Sequence, residues 1–233
     1  MSMTASFSEW AAANLHTVNW TLADVRMTVL VRSAVLNDQD RASGVLAQET
    51  LTELLESPGW QAVSGNQANT ATDGSVANGA TAVGQRSMIE SLGLTESATG
   101  MEIRSSMEVV KIGTVNSGDV WMDRHCFESD GVLVLNRIKL HTCFSGPVQS
   151  GLTKMMVVGM GKIQSAETFH SAPTPQMKDM LLEMGEILIA SGKIFAGLAI
   201  LEDGFDRTAE LHAVAAREIL AREPALLERH RHY

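Results

Sequence analysis

The chain has 233 residues, of which 45% are hydrophobic and 19% charged, with a formal net charge of −9. That composition supplies a core and excludes a disordered chain, and the acidic balance argues against a nucleic-acid surface, which needs clustered Lys and Arg. No apolar run approaches the roughly 20 residues that span a bilayer, and the N-terminus lacks the pattern of a secretory signal. We therefore expect a soluble, cytoplasmic α/β protein whose partners include neither nucleic acid nor membrane.

The first 70 residues have helical spacing and differ in character from the rest. Apolar residues recur at intervals of three to five over 10–25, and a stronger helical run covers 46–55. Residues 57–84 are rich in Gly, Ala, Asn, Ser and Thr, which is typical of a loop or linker. We therefore predict an uncertain helical segment over 1–70, followed by a separate domain over 74–233.

From residue 101 onward, short apolar runs alternate with segments of helix length. MEVVKIG, DVWMD, GVLVLNRI, MMVVGMG and KIFAGLAIL have the length of strands. PQMKDMLLEMGEILIAS and TAELHAVAAREILAREPALLERH have the length of helices. This alternation favours a Rossmann-like α/β fold, with an open, mainly parallel sheet flanked by helices. Because GVLVLNRI is nearly all apolar, we expect it at the centre of that sheet.

The segment that follows GVLVLNRI is the predicted place of a site, because α/β proteins bind ligands beyond the carboxyl ends of their strands. It contains His141, Lys154 and His170. A single histidine is more often structural than functional, but the three residues together favour a site. A lysine amine forms covalent bonds with carbonyl-type groups, and neutral imidazole is a base near pH 7 or a nickel or zinc ligand.

The same stretch resembles the nickel-pincer lactate racemase family, in its branch of lactate-racemase-like N-terminal domains. Residues 136–170 read NRIKLHTCFSGPVQSGLTKMMVVGMGKIQSAETFH, and the branch pattern is NRVKPHTDFRGPxxSGLxKMxxxGxGKxxGAETxH. GATAVGQRSMIESLGL and IRSSMEVVKIGT upstream, and GLAILEDGFDRTAEL downstream, are similar to the same branch. The resemblance extends from about Gly74 to about Glu223.

The resemblance implies a role for each of the three residues. Lys154 stands where the family tethers a nickel pincer nucleotide, a pyridinium dithiocarboxylic acid mononucleotide with nickel, through a thioamide. His170 stands where the family has its nickel-ligating histidine, and His141 where it has a general acid/base. The implied activity is that of an isomerase that transfers hydride reversibly between a small 2-hydroxy acid and this cofactor.

The chain departs from the family pattern at several positions. Leu140 stands in place of a proline, Cys143 of an aspartate and Ser145 of an arginine. The family's second acid/base histidine has no counterpart in residues 74–79, which read GSVANG. Racemisation needs a proton-transfer group on each face of a planar intermediate, so we expect this chain alone to interconvert its substrate slowly.

Three interpretations of the chain follow from these departures. Family members begin with a different strand and phosphate-binding loop, and they continue into a second domain that closes over the substrate. The chain is expected to be an active lactate-racemase-like domain, a non-catalytic truncated or frame-shifted remnant, or a cofactor-binding module that needs a second chain. A face left without its closing domain is expected to favour a homo-oligomer.

Overall fold

The computed structural model describes residues 28–32, 60–64, 81–91, 95–99, 102–129, 131–205 and 207–233. These residues form a six-stranded sheet, a two-stranded sheet and flanking helices, which confirms the predicted α/β class. None of the helices within these ranges has the length and apolar character needed to cross a membrane.

The described elements are named in chain order. The strands are β1 (Thr28–Arg32), β2 (Trp60–Ser64), β3 (Glu102–Arg104), β4 (Val109–Val115), β5 (Gly118–Asp123), β6 (Gly131–Arg137), β7 (Ile194–Glu202) and β8 (Thr208–Ala215). The α-helices are α1 (Ala82–Ser91), α2 (Glu96–Thr99), α3 (Arg124–Glu128), α4 (Leu152–Lys154), α5 (Lys162–Ser171), α6 (Thr174–Ala190) and α7 (Ile219–His230). A π-helical segment (Met155–Gly159) follows α4, and a 3₁₀ turn (Ala216–Glu218) precedes α7.

The larger sheet is mixed, so the expectation of a mainly parallel sheet is wrong. Its strand order is β3-β2-β1-β6-β7-β8. Only β6 with β7 and β2 with β3 are parallel pairs, and the other three pairings are antiparallel. At one edge the cause is the short connection 203–207 between β7 and β8, because parallel strands need a crossover of a dozen or more residues.

Strands β6 and β7 form the buried centre of this sheet, as the apolar run GVLVLNRI predicts. Every residue of both strands is buried. Side chains on one face belong to the main core with the helices and the β4–β5 hairpin, and those on the other face are buried as well. The two sets are Val132, Val134, Ala199 and Leu201 on the helix-covered face, and Leu133, Leu135, Leu198 and Ile200 on the other.

Two of the predicted elements are wrong. The run MMVVGMG, predicted as a strand, is the π-helical segment, in which the Met160 N–H donates to the Met155 carbonyl at 2.9 Å. When a short apolar run is buried on all sides, its sequence has no repeat of apolar and polar residues that would distinguish a strand from a helix. TAELHAVA, predicted as helix, is strand β8, because it pairs with β7 along its length, and the helix begins only at Ile219.

Within residues 1–70 the structure describes only 28–32 and 60–64, where the predictions of a helical segment and of a loop, respectively, are wrong. Both segments are strands of the main sheet, where β1 pairs with β6 and β2 pairs with β3. The sequence TVLVR is rich in β-branched residues, which suits a strand. The helically spaced stretches 10–25 and 46–55 lie outside the described residues. The division into two units near residue 70 stays a prediction.

A buried ion pair joins the β4–β5 hairpin to helix α5. Lys162 Nζ lies 3.1 Å from Asp123 Oδ2, and both side chains are fully buried. Asp123 Oδ1 also accepts a hydrogen bond from the Cys126 N–H (3.1 Å) at the start of α3. Lys162 Nζ donates to Gln85 Oε1 on α1 at 3.3 Å. Four elements therefore meet at one pair of opposite charges.

We predict that this ion pair contributes far more stability than a surface pair. Asp123→Asn removes the charge of Asp123 beside the buried Lys162, and removal of one partner of a buried ion pair typically costs about 3–5 kcal/mol. The matched control is Asp119→Asn, which breaks the exposed contact with Lys111 and is expected to change the unfolding midpoint little. Urea unfolding, with the slope checked for each variant, measures both effects. Equal midpoint shifts for the two variants would contradict the prediction.

Candidate functional site

His141 lies on a loop whose two ends are tied together beyond the carboxyl end of β6. The Lys139 N–H donates to the Ser150 carbonyl (2.8 Å), and the Ser150 N–H donates to the Lys139 carbonyl (3.2 Å). Inside the loop, the buried Gln149 accepts a hydrogen bond from the His141 backbone N–H at 2.8 Å. These contacts hold His141, which is half-buried, at the strand end where the sequence predicts a site.

Lys154 ends helix α4, whose first turn is held by a buried carboxyl group. Glu223 Oε2 on α7 accepts hydrogen bonds from the Thr153 N–H (2.8 Å) and from the Thr153 hydroxyl (2.7 Å). Gly151 allows this close approach, because a Cβ at that position would collide with Glu223 Oε1. The Asn136 amide donates to the Gly151 carbonyl at 2.8 Å. The turn that carries Lys154 is therefore attached to both β6 and α7.

Two buried phenylalanines connect the three predicted site residues. The Phe144 ring lies 4.4 Å from the His141 ring and 5.9 Å from the Phe169 ring, measured between centroids. Phe169 in turn meets the ring of the exposed His170 edge-on at 5.3 Å, and Lys154 Nζ lies 5.7 Å from the Phe169 centroid. The structure thus brings His141, Lys154 and His170 together around this aromatic pair, while their roles stay predictions.

Lys154 and His141 are in direct contact. Lys154 Nζ is 2.7 Å from His141 Nε2. His141 Nδ1 accepts a hydrogen bond from the Cys143 N–H (3.1 Å). Nζ and Nε2 share one proton in this contact, and the direction of the hydrogen bond depends on the tautomer of the imidazole.

The surroundings lower the pKa of all three residues. Burial first, and then the charges of Lys154, His170 and Lys139, lower the pKa of His141 to about 4. Burial is also the main cause that lowers the pKa of Lys154 and of His170. Because a proton on either member of the Lys154–His141 pair opposes a proton on the other, the pair titrates in two steps. Both histidines are therefore neutral at pH 7.

Glu223 behaves unlike an ordinary carboxylate. Its side chain is 1% exposed, and Oε1 has no hydrogen-bond partner within the described part of the chain. Burial raises the pKa of this carboxyl to about 7, although the two hydrogen bonds from Thr153 act in the opposite direction. The group that holds the Lys154 turn therefore changes charge close to neutral pH.

An open cleft of about 510 Å³ adjoins His141 and lies between its loop and the start of α6. A space of this size holds a small ligand. Lys178 contributes a positive charge to its wall, and the charge of Lys139 acts on both His141 and Lys154. The lining residues are His141, Thr142, Cys143, Phe144, Ser145, Thr174, Pro175 and Lys178.

The described residues offer no ready-made cage for a metal ion: nowhere among them do three His, Cys, Asp or Glu side chains come together. The resemblance requires less of the chain, namely one tethering amine and one nickel-ligating imidazole. Lys154 and His170 lie against the same aromatic pair and have lowered pKa values, so an amine and an imidazole that fit those two requirements are present.

Sequence reasoning missed the residues that hold the site in place. Phe144 and Phe169 lie inside the motif, but a single phenylalanine in a sequence is normally interpreted as a residue of the hydrophobic core. Thr153 and Glu223 are 70 positions apart, so no local pattern connects them. The one available signal was spacing, because Glu223 falls on the same helical face as Ile219, Leu226 and Leu227, where an apolar residue is expected.

No protein-family model and no curated protein matches the chain. Among solved structures, the chain is weakly similar to the lactate racemase apoprotein from Thermoanaerobacterium thermosaccharolyticum, with 15% sequence identity and a TM-score of 0.43. The match covers 60% of this chain and 37% of that chain.

We predict that Glu223 makes stability fall as the pH rises. Its pKa is higher in the folded chain (about 7) than its ordinary value of 4.5, so the folded state retains a proton that the unfolded state has lost. Its stabilising contribution is complete below about pH 4.5 and is lost as the pH rises to about 7, a change of about 3 kcal/mol.

The matched control is Glu223→Gln, which keeps the shape and removes the titration. The difference in unfolding free energy between wild type and Glu223→Gln, measured from pH 4 to pH 8, isolates Glu223, because all other groups are common to both proteins. Parallel stability curves would show that Glu223 is not buried in this way.

We also predict that Lys154 holds down the pKa of His141. The imidazole C–H signal of His141 is expected to titrate near pH 4 in the wild-type chain. In Lys154→Met the positive charge is gone but burial remains, so the midpoint is expected to move part of the way towards about 6.5. NMR titration of the histidine signals measures this, with His212, on β8, as an internal control. An unchanged midpoint would mean that the two side chains do not interact.

Proposed function

We propose that the chain is a lactate-racemase-like isomerase domain that binds a nickel pincer nucleotide and acts on a small 2-hydroxy acid. The observation that carries this proposal is the 2.7 Å contact of Lys154 Nζ with His141 Nε2, which joins the tethering lysine and the acid/base histidine that the motif implies. The motif over residues 136–170 supports the choice of cofactor, since the residue types alone are compatible with several.

Two residues of the chain would hold the cofactor. Lys154 would carry it through a thioamide, a bond that only an uncharged amine can form. His170, neutral at pH 7, would be a nickel ligand. When bound, the nucleotide supplies an acceptor for the hydride on the substrate carbon.

His141 is the residue proposed to move the substrate hydroxyl proton. In the unloaded chain its Nε2 is in contact with Lys154 Nζ at 2.7 Å. Attachment of the cofactor would remove the charge of Lys154, which lowers the pKa of His141. Loading would therefore make His141 a stronger base at the position where a base is needed.

The surroundings suit an anionic substrate. Lys178 on the cleft wall and the nearby Lys139 attract a carboxylate. Phe144 and Phe169, both buried, keep water from the side of Lys154 and His141 that they cover. A charged 2-hydroxy acid therefore fits the cleft better than a neutral alcohol does.

A cofactor-binding module that needs a second chain is the other candidate. The observation that favours it is the sequence of residues 74–79, where the family's second acid/base histidine is missing. Removal of one general acid/base group typically costs 10²–10⁴-fold in rate, so weak racemisation by this chain alone is compatible with both candidates.

The test is co-expression of the full chain with the enzymes that synthesise the cofactor. We expect intact-mass analysis to show an adduct on the wild-type chain and on Lys193→Met, and none on Lys154→Met. Lys193 precedes β7, at the opposite edge of the sheet from the site, so its variant is the matched control. A chiral assay with several 2-hydroxy acids is expected to show slow racemisation.

The outcomes separate the candidates. An adduct with no turnover until a second chain is added would favour the module. Absence of any adduct on a folded wild-type chain would overturn the proposal and leave the non-catalytic remnant.

A further inference from the structure

We infer a second reactivity of the same lysine: in the chain without cofactor, Lys154 condenses with small 2-oxo acids to form an imine. The inference depends on the geometry of the unloaded site and not on which cofactor the chain binds. It assigns a ligand class, a carbonyl compound that carries a carboxylate, to the cleft beside His141.

The first argument is the state of the amine. Lys154 Nζ lies 2.7 Å from His141 Nε2, and burial, followed by the charge of Lys139, lowers the pKa of this amine. Two other lysines contact carboxylates instead: Lys111 lies 2.6 Å from Asp119, and Lys162 lies 3.1 Å from Asp123. Because only the free amine attacks a carbonyl carbon, the lowered pKa gives Lys154 an advantage at neutral pH.

The second argument is the charge around the cleft. The groups that act on Lys154 are Lys139, which lowers its pKa, and Cys143, which acts in the opposite direction. His141, whose Nε2 contacts Lys154 Nζ, is neutral at pH 7 because its pKa is about 4. The field is therefore positive on balance, with Lys178 on the cleft wall, and it favours a carbonyl compound with a carboxylate over a neutral one.

The reaction needs no oxidant and no partner beyond the acid itself. The amine lone pair forms a C–N bond to the keto carbon, while the carbonyl oxygen becomes a hydroxyl group. The C–O bond then breaks, and the two hydrogens of the amine leave with that oxygen as water. His141 Nε2 lies 2.7 Å from the attacking nitrogen, close enough for the imidazole to take part in proton transfer to the oxygen as negative charge develops on it.

The imine also bears on the proposed function. On that proposal, a 2-hydroxy acid becomes a 2-oxo acid when its hydride leaves. One lysine cannot hold both the cofactor and the oxo acid, so 2-oxo acids are expected to compete with cofactor attachment. This consequence rests on the proposed function, whereas imine formation does not.

The experiment uses the full chain without cofactor, pyruvate as the probe, and a borohydride reagent that reduces any imine to a stable amine. At pH 7 we expect Lys154 to be modified about tenfold faster than Lys111, Lys178 or Lys193, as read by peptide mapping. Modification is expected to persist in Lys193→Met and to vanish in Lys154→Met. The methyl ester of pyruvate, which lacks the charge, is expected to react more slowly at Lys154.

A second variant tests the role assigned to His141. Replacement of His141 by Phe removes the hydrogen bond to the amine and is expected to abolish the preference for Lys154. Circular dichroism and the unfolding midpoint show that each variant is folded. Equal modification of all exposed lysines in the wild-type chain, or an unchanged preference in His141→Phe, would overturn the inference.

The two proposals fail separately. Imine trapping at Lys154 without a cofactor adduct in co-expression supports the inference and overturns the proposed function. A cofactor adduct on Lys154 without imine trapping supports the proposed function and overturns the inference.

Discussion

Parallel pairing of β6 with β7 is the constraint on which the rest of the site depends. Parallel neighbours cannot be joined by a hairpin, so the chain between them must cross over one face of the sheet. That crossover contains the tied loop, α4, the π-helical segment, α5 and α6, and all three predicted site residues lie within it. Since it starts at the carboxyl end of β6, it places residues that are well separated in sequence at one edge of the sheet.

The reactive groups depend on neighbours that do no chemistry. Lys154 meets His141 because Glu223 holds the turn before it, and His141 presents Nε2 because the Cys143 amide occupies its other nitrogen. Each of these supporting contacts involves a backbone N–H, so the site is organised mainly by the main chain. Substitution of a supporting residue would therefore act through geometry and leave the reactive atoms in place.

The sequence predicts the position of the three motif residues better than it predicts the sheet. His141, Lys154 and His170 could be placed together because they follow one buried strand, and β6, β7 and α6 could be recognised from apolar runs and helical spacing. The mixture of parallel and antiparallel pairs could not be predicted from the sequence, because the direction of a strand relative to its neighbour depends on which segments become neighbours. The strand character of Thr208–Ala215 was hidden for the same reason, since it is pairing with β7 that makes it a strand.

The π-helical segment has a geometric consequence for the spacing of the motif. In an uninterrupted α-helix, the sixteen positions from Lys154 to His170 would put the two side chains about 160° apart, on nearly opposite sides. The wider turn at Met155–Gly159 and the positive φ of Lys162 (54°) interrupt that rotation and redirect the helix axis. The number of residues between Lys154 and His170 therefore sets the angle between their side chains about the helix axis. Gain or loss of a single residue in this stretch would turn one partner by about 100° while leaving the composition of the core almost unchanged.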